Sequence, residues 1–173
     1  IGSNLPNNLM DIDNGVEKNI KLLAEAKSKN ISDINVCVLK RSRHDKIIKE
    51  LTRLNVNINY ITDGDIAGAL SVIGDKPKND IYYSTGGGPE GVIAAAALSC
   101  FGGQIQGRLV LDDEEKLRAK KLGIKDFNRK YNISDMVKGD VIFCATGVTS
   151  GDLASGVKDL GNEFEVNTFA LHK

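Results

Sequence analysis

The chain has 173 residues, 41% hydrophobic and 27% charged, and its 23 basic and 23 acidic residues leave a formal net charge of zero. That length suits one domain with a sizeable core, and the balanced charge gives no electrostatic case for nucleic acid or an anionic membrane as a partner. No apolar run approaches the roughly 20 residues of a membrane-spanning helix.

The opening IGSNLPNNLMDIDNG lacks the basic stretch and apolar run of a signal peptide. It also lacks an initiator Met, so we expect a processed product or a chain boundary. Cys37, Cys100 and Cys144 each lie in an apolar stretch and form no CxxC pair. They read as buried thiols in a reducing, cytoplasmic setting, with no zinc or redox site.

Strand-like and helix-like patterns alternate along the chain. Residues 15–29 place Val16, Ile20, Leu23 and Ala26 at helical spacing, after a cap at Asp13 or Asn14. Residues 34–40 (INVCVLK) are short and β-branched, a strand. Residues 43–55 put Ile47, Ile48, Leu51 and Leu54 on one helical face, and 57–61 (NINYI) read as the next strand. DGDIAGALSVIG then carries a short helix after two aspartates, and DIYYST is another strand. PEGVIAAAALSCFG is a helix with Pro89 in its first turn. QIQGRLVL (104–111) reads as a strand and DEEKLRAKKLG as an exposed helix, acids first and bases last as the helix dipole prefers. The stretch 123–139 reads as an irregular surface excursion. A strand at 140–146, a short helix at 151–157 and a final strand at 164–172 complete the pattern.

Such alternation predicts an α/β fold, a layered sheet flanked by helices, in a single domain over 1–173. Ligands of such folds gather at the carboxyl ends of the strands. Four turns carrying bases, acids and glycines fall there: KRSRHD, DGD, STGGGPEG and TGVTSGD.

In the glycine turn, Gly86, Gly88 and Gly91 match G-x-G-x-x-G between a strand and a helix, with Asp112 at the end of the next strand where a ribose-binding acid would stand. This is the alternative, Rossmann-like nucleotide-binding reading. Two residues oppose it. Glu90 would meet a pyrophosphate at the helix start, and Pro89 lacks an N–H to hold one. A divalent cation between carboxylate and phosphate would satisfy both, so Glu90 reads as a metal ligand; a solvent-facing helix-start acid is the competing assignment.

Asp63-Gly64-Asp65 can hold a metal or accept from sugar hydroxyls, or serve only as a turn and helix cap. Arg41, Ser42 and Arg43 can clamp a phosphate, or form a solvated basic loop. His44 reads as a helix-start or structural residue rather than a general base. The turn from Thr146 to Asp152 suits anion binding or capping equally. Arg108 either pairs with a site carboxylate or faces solvent.

The runs DGDIAGAL, STGGGPEGVIAAAALSCFGGQIQGRL and GDVIFCATGVTSGDL, in that order and spacing, resemble the class II fructose-1,6-bisphosphatases, the GlpX-type enzymes, over nearly the whole chain. The resemblance implies the carboxyl-terminal half of the inositol monophosphatase-like sugar phosphatase fold. It also implies Mn2+- or Mg2+-dependent hydrolysis of the 1-phosphate of fructose 1,6-bisphosphate in gluconeogenesis, with sedoheptulose 1,7-bisphosphate accepted by some relatives. Arg41, Ser42 and Arg43 then look like the phosphate-binding loop, Asp63, Gly64 and Asp65 like sugar contacts, Gly87 like a backbone contact to substrate, and Glu90 like a metal ligand. Arg41 and Ser42 stand where the family often has lysine and proline. Family members are much longer, and their amino-terminal half, absent here, supplies most metal ligands and the water-activating residues. The partners implied are that half and the sugar bisphosphate, and the chain alone is expected to hydrolyse little. A catalytically inert assembly domain is the third reading. The oligomeric state stays open, a homo-oligomer included.

Overall fold

In the computed structural model, which describes residues 1–151 and 153–173, the apolar run at 34–39 forms β1 (Asn35–Leu39), buried from Val36 onward. β2 (Asn57–Ile61) and β3 (Ile81–Tyr83) flank it, both parallel, in the order β2-β1-β3. A central parallel strand has helices over both faces, so it reads as continuously apolar rather than alternating. α1 (Gly15–Ala26) and α2 (Asp45–Arg53) cover one face, where Val16, Ile20, Leu23 and Leu51 join Val36, Val38 and Ile81 in the main core. α3 (Asp65–Leu70) covers the opposite face: a Cβ on its Gly68 would come within 2.8 Å of the Tyr82 ring. α4 (Gly88–Cys100) packs beside α3.

The second half departs from the predicted elements. The strand expected at 104–111 shrinks to β4 (Gln106–Gly107), antiparallel to β5 (Tyr131–Asn132). The supposedly irregular stretch 123–139 therefore contains β5 and α6 (Ile133–Met136), started by an Asn132–Asp135 capping box. α5 (Asp113–Lys121) forms between β4 and β5 as its charge pattern predicts. β6 (Ile142–Thr146) pairs antiparallel with β9 (Thr168–His172). The final strand expected at 164–172 is divided, because β8 (Phe164–Glu165) turns back on β7 (Lys158–Asp159) as a hairpin.

The helix expected at 151–157 does not form among the described residues. The Ser150 hydroxyl accepts from the Gly156 N–H, and the Val157 N–H bonds the Val148 carbonyl, closing a loop instead. Asp152 lies outside the described residues. Only Cys37 is a fully buried thiol; Cys100 is half-buried and Cys144 exposed. Cys144 falls on the outer side of β6, whose Phe143 faces inward against Phe169 at 5.8 Å.

Asp80, 3% exposed just before β3, ties the amino ends of β1 and β3 to α1. It takes Lys27 at 2.6 Å, Lys29 at 2.9 Å and the Asn35 N–H at 2.8 Å. Burial alone would raise its pKa, but these partners hold it below the ordinary 3.8. A carboxylate depressed in the native state stabilises above its unfolded value and loses that contribution as pH falls through its native one. Asp80→Asn is therefore expected to cost about 2 kcal/mol at neutral pH, partial exposure of both lysines screening the pair. Urea unfolding between about pH 5 and 3 should be flatter in the variant, and an unchanged pH slope would contradict it.

Candidate functional site

In the order β2-β1-β3, the chain leaves β1 toward β2 and then crosses back to β3, so the connections leaving the adjacent carboxyl ends of β1 and β3 diverge at a topological switch point. The two loops that leave there are bound to each other. The 3-10 turn Ser42–His44 follows β1, and Arg43 Nε donates to the Thr85 carbonyl at 2.6 Å. His44 is fully buried. One ring nitrogen, Nδ1, meets the Leu39 carbonyl, and Nε2 accepts from the Thr85 N–H at 2.8 Å. That pattern is the Nδ1–H tautomer. His44 thus pins the glycine turn to the end of β1, and the tether at Nε leaves the outer guanidinium of Arg43 toward solvent. Arg41 and Ser42 are exposed.

β2 delivers the aspartate turn. Gly64, at φ +84°, adopts a left-handed conformation that suits glycine and starts α3. Asp63 is exposed and its Oδ1 accepts from the Gly64 N–H at 2.8 Å. Asp65 turns the other way: its Oδ1 accepts from Tyr82 Oη at 2.5 Å and Ser84 Oγ at 2.7 Å. Burial, followed by the hydrogen bond to Asp65, pushes the Tyr82 phenol far above its ordinary value and keeps it a donor.

In STGGGPEG, the glycines make room for acids. A Cβ on Gly86 would sit 2.7 Å from Asp65 Oδ2, and one on Gly87 would collide with the Glu90 carboxylate. Gly87 is the N-cap of α4 with ordinary extended φ of −69°, so it is space and not φ that asks for glycine. Glu90 folds back over this helix start, exposed, with Pro89 before it. Its carboxylate lies over Gly87 at the amino terminus of α4, where its negative charge opposes a pyrophosphate.

Arg43, Asp65, Gly87 and Glu90 are thereby gathered on the loops of one sheet, with Arg41, Ser42, Asp63 and Gly64 at the edge. The fourth turn does not join them: β6 belongs to a separate ribbon, and the Gly147 N–H bonds the Asn167 carbonyl. Asp112 is not at a ribose position either. It caps α5 in a box with Glu115, and the strand before it lies outside the parallel sheet, which removes the nucleotide fingerprint's second half. Arg108 pairs with Asp13 at 2.8 Å and donates to the Asn128 carbonyl. Tyr82, Ser84 and Thr85 carry contacts that residue type alone did not flag; the signal available was their position at the end of a strand feeding a glycine turn.

Among the described residues no group of three or more His, Cys, Asp or Glu is gathered as a metal site. Glu90 is a single exposed oxygen donor, which suits Mg2+ or Mn2+, ions held by one or two carboxylates with water and substrate phosphate. Among the described residues no helix is long and apolar enough to cross a membrane.

The family model described as bacterial fructose-1,6-bisphosphatase, glpX-encoded, matches residues 1–173. A fructose-1,6-bisphosphatase class 2 from Haemophilus influenzae is 34% identical over 186 residues, 99% of this chain and 55% of that protein. A D-fructose 1,6-bisphosphatase class 2/sedoheptulose 1,7-bisphosphatase from Synechococcus is 36% identical over 174 residues, 92% of this chain and 50% of that protein. The chain spans about half the length of the curated relatives it matches.

Proposed function

The chain belongs to the bacterial glpX-encoded fructose-1,6-bisphosphatase family, and on that premise we propose that it forms the substrate-binding part of a metal-dependent sugar phosphatase. The reaction is hydrolysis of the 1-phosphate of fructose 1,6-bisphosphate in cytoplasmic gluconeogenesis, with sedoheptulose 1,7-bisphosphate as a second substrate. The observation that carries this reading is the convergence of a tethered arginine, a held carboxylate and a helix-start glutamate at one switch point.

Arg41 and Arg43 hold the phosphate remote from the reacting bond, with Ser42 adding a hydroxyl donor. Asp63 and Asp65 accept from sugar hydroxyls. The Gly87 backbone approaches the substrate, and Glu90 supplies one oxygen to Mn2+ or Mg2+. When bound, such an ion polarises the phosphoryl group as a Lewis acid. The groups that activate water belong to the part of the protein outside these residues, which this chain needs as its partner.

The assay is phosphate release from fructose 1,6-bisphosphate with manganese, run on the 173-residue chain and on the same chain joined to the amino-terminal half of a relative. The joined protein is expected to turn over and the chain alone to bind weakly with little hydrolysis. Full turnover by the chain alone would overturn the division of labour; neither binding nor turnover in the joined protein would overturn the substrate.

A further inference from the structure

We propose that Tyr82 and Ser84 are positioning residues, whose hydroxyls lock one oxygen of Asp65 so that the other is presented at the glycine turn to accept from a ligand hydroxyl. This rests on the sugar-phosphate reading of the site. Tyr82 Oη and Ser84 Oγ both donate to Asp65 Oδ1, and two hydroxyl donors fill the lone pairs of that oxygen. Oδ2 is left, and it stands beside Gly86, where even a Cβ would approach to 2.7 Å.

The two donors come from one rigid source. Tyr82 lies in β3 and Ser84 two residues on, so both project to the same side of the strand. The Tyr82 ring is wedged against Gly68 of α3, whose added Cβ would reach 2.8 Å from its Cε2. The hydroxyl is therefore placed by sheet packing rather than by a flexible stem. Asp63, by contrast, is exposed, and among the described residues its carboxylate holds the neighbouring Gly64 N–H alone. Of the two acids, Asp65 is the one whose carboxylate is oriented by two side-chain donors at the end of the sheet before a ligand arrives, and that spares the cost of ordering it on binding. A negative oxygen presented this way repels phosphate and suits a neutral hydroxyl donor. Asp65 thus reads the polyol part of the ligand, while the arginine loop reads its phosphate.

Tyr82→Phe keeps the ring against Gly68 and deletes only the donor; Ser84→Ala deletes the second. In the full-length enzyme the double variant is expected to raise KM for fructose 1,6-bisphosphate about tenfold, as loss of a hydrogen bond to a charged group would. The kcat should stay within about twofold and inhibition by inorganic phosphate should not change. An unchanged KM, or phosphate inhibition weakened by the same factor, would overturn the proposal, the latter because it reports general loosening. A crystal structure of the double variant gives a readout independent of activity. Asp65 turned away from Gly86 supports the positioning role, and Asp65 left in place overturns it. If the unmodified full-length enzyme hydrolyses no sugar bisphosphate, the functional reading fails on that result alone, and the crystal structure still decides the role of Tyr82 and Ser84.

Discussion

His44→Ala is expected to cost about 3–5 kcal/mol of stability and, with it, phosphate affinity at the arginine loop. The ring is fully buried between the end of β1 and the glycine turn. Alanine would leave the Leu39 carbonyl and the Thr85 N–H without the partners they have in the parent, and it would open a ring-sized void in a packed region. Thr85 is also the residue whose carbonyl holds Arg43, so a loosened turn releases the guanidinium as well. His44→Gln offers an acceptor near Nε2 and is expected to recover part of the loss. Urea unfolding reads the first effect and calorimetric titration with inorganic phosphate the second. An alanine variant with parental midpoint and parental phosphate binding would show that the ring pins nothing.

How much of this was legible in the sequence differs between the two halves. The run at 34–39 and the spacing of Val16, Ile20 and Leu23 could be read directly, because burial on a regular element imprints a period on the chain. The pairs β4–β5 and β7–β8 could not. Each strand is two residues long, and Gln106 finds Asn132 only through the tertiary fold; two residues carry no period. The divided final strand has the same cause.

Within the site, co-location of the first three turns followed from topology, since parallel strands in one sheet must put their carboxyl ends together. The fourth turn broke the rule because its strand is antiparallel and outside that sheet. The glycines show what residue type leaves out. Gly86 could be read only as part of a G-x-G-x-x-G match and Gly87 only as a backbone contact, while the space both leave lies against the carboxylates of Asp65 and Glu90. Tyr82 could be read only as part of the strand DIYYST, because the partner of its hydroxyl sits 17 positions away at the start of α3.

Glu90 is where stability and function should separate most sharply. It is exposed at the start of α4, its carboxylate over Gly87, and it contributes to the helix only through the weak attraction of an acid for a helix amino terminus. Glu90→Gln keeps the shape and removes the charge, so the melting temperature should barely move. Under the proposed function the same change removes an oxygen ligand from the ion. Altering groups that merely support a metal ligand typically costs about 10–100-fold in affinity or activity, and losing the ligand itself should cost at least the upper end of that range. Manganese titration of the full-length enzyme should then show a weakened activation curve alongside the lost rate, with KM for the sugar bisphosphate less affected than kcat. Pro89 and Gly87 matter here for a mechanical reason: proline fixes the first turn, and glycine leaves room for the carboxylate to fold over it. Gly87→Ala should therefore copy the metal defect of Glu90→Gln while every carboxylate remains in the chain. If Glu90→Gln retains the parental manganese dependence, the carboxylate is a helix-start acid and nothing more, and the ion must be held elsewhere.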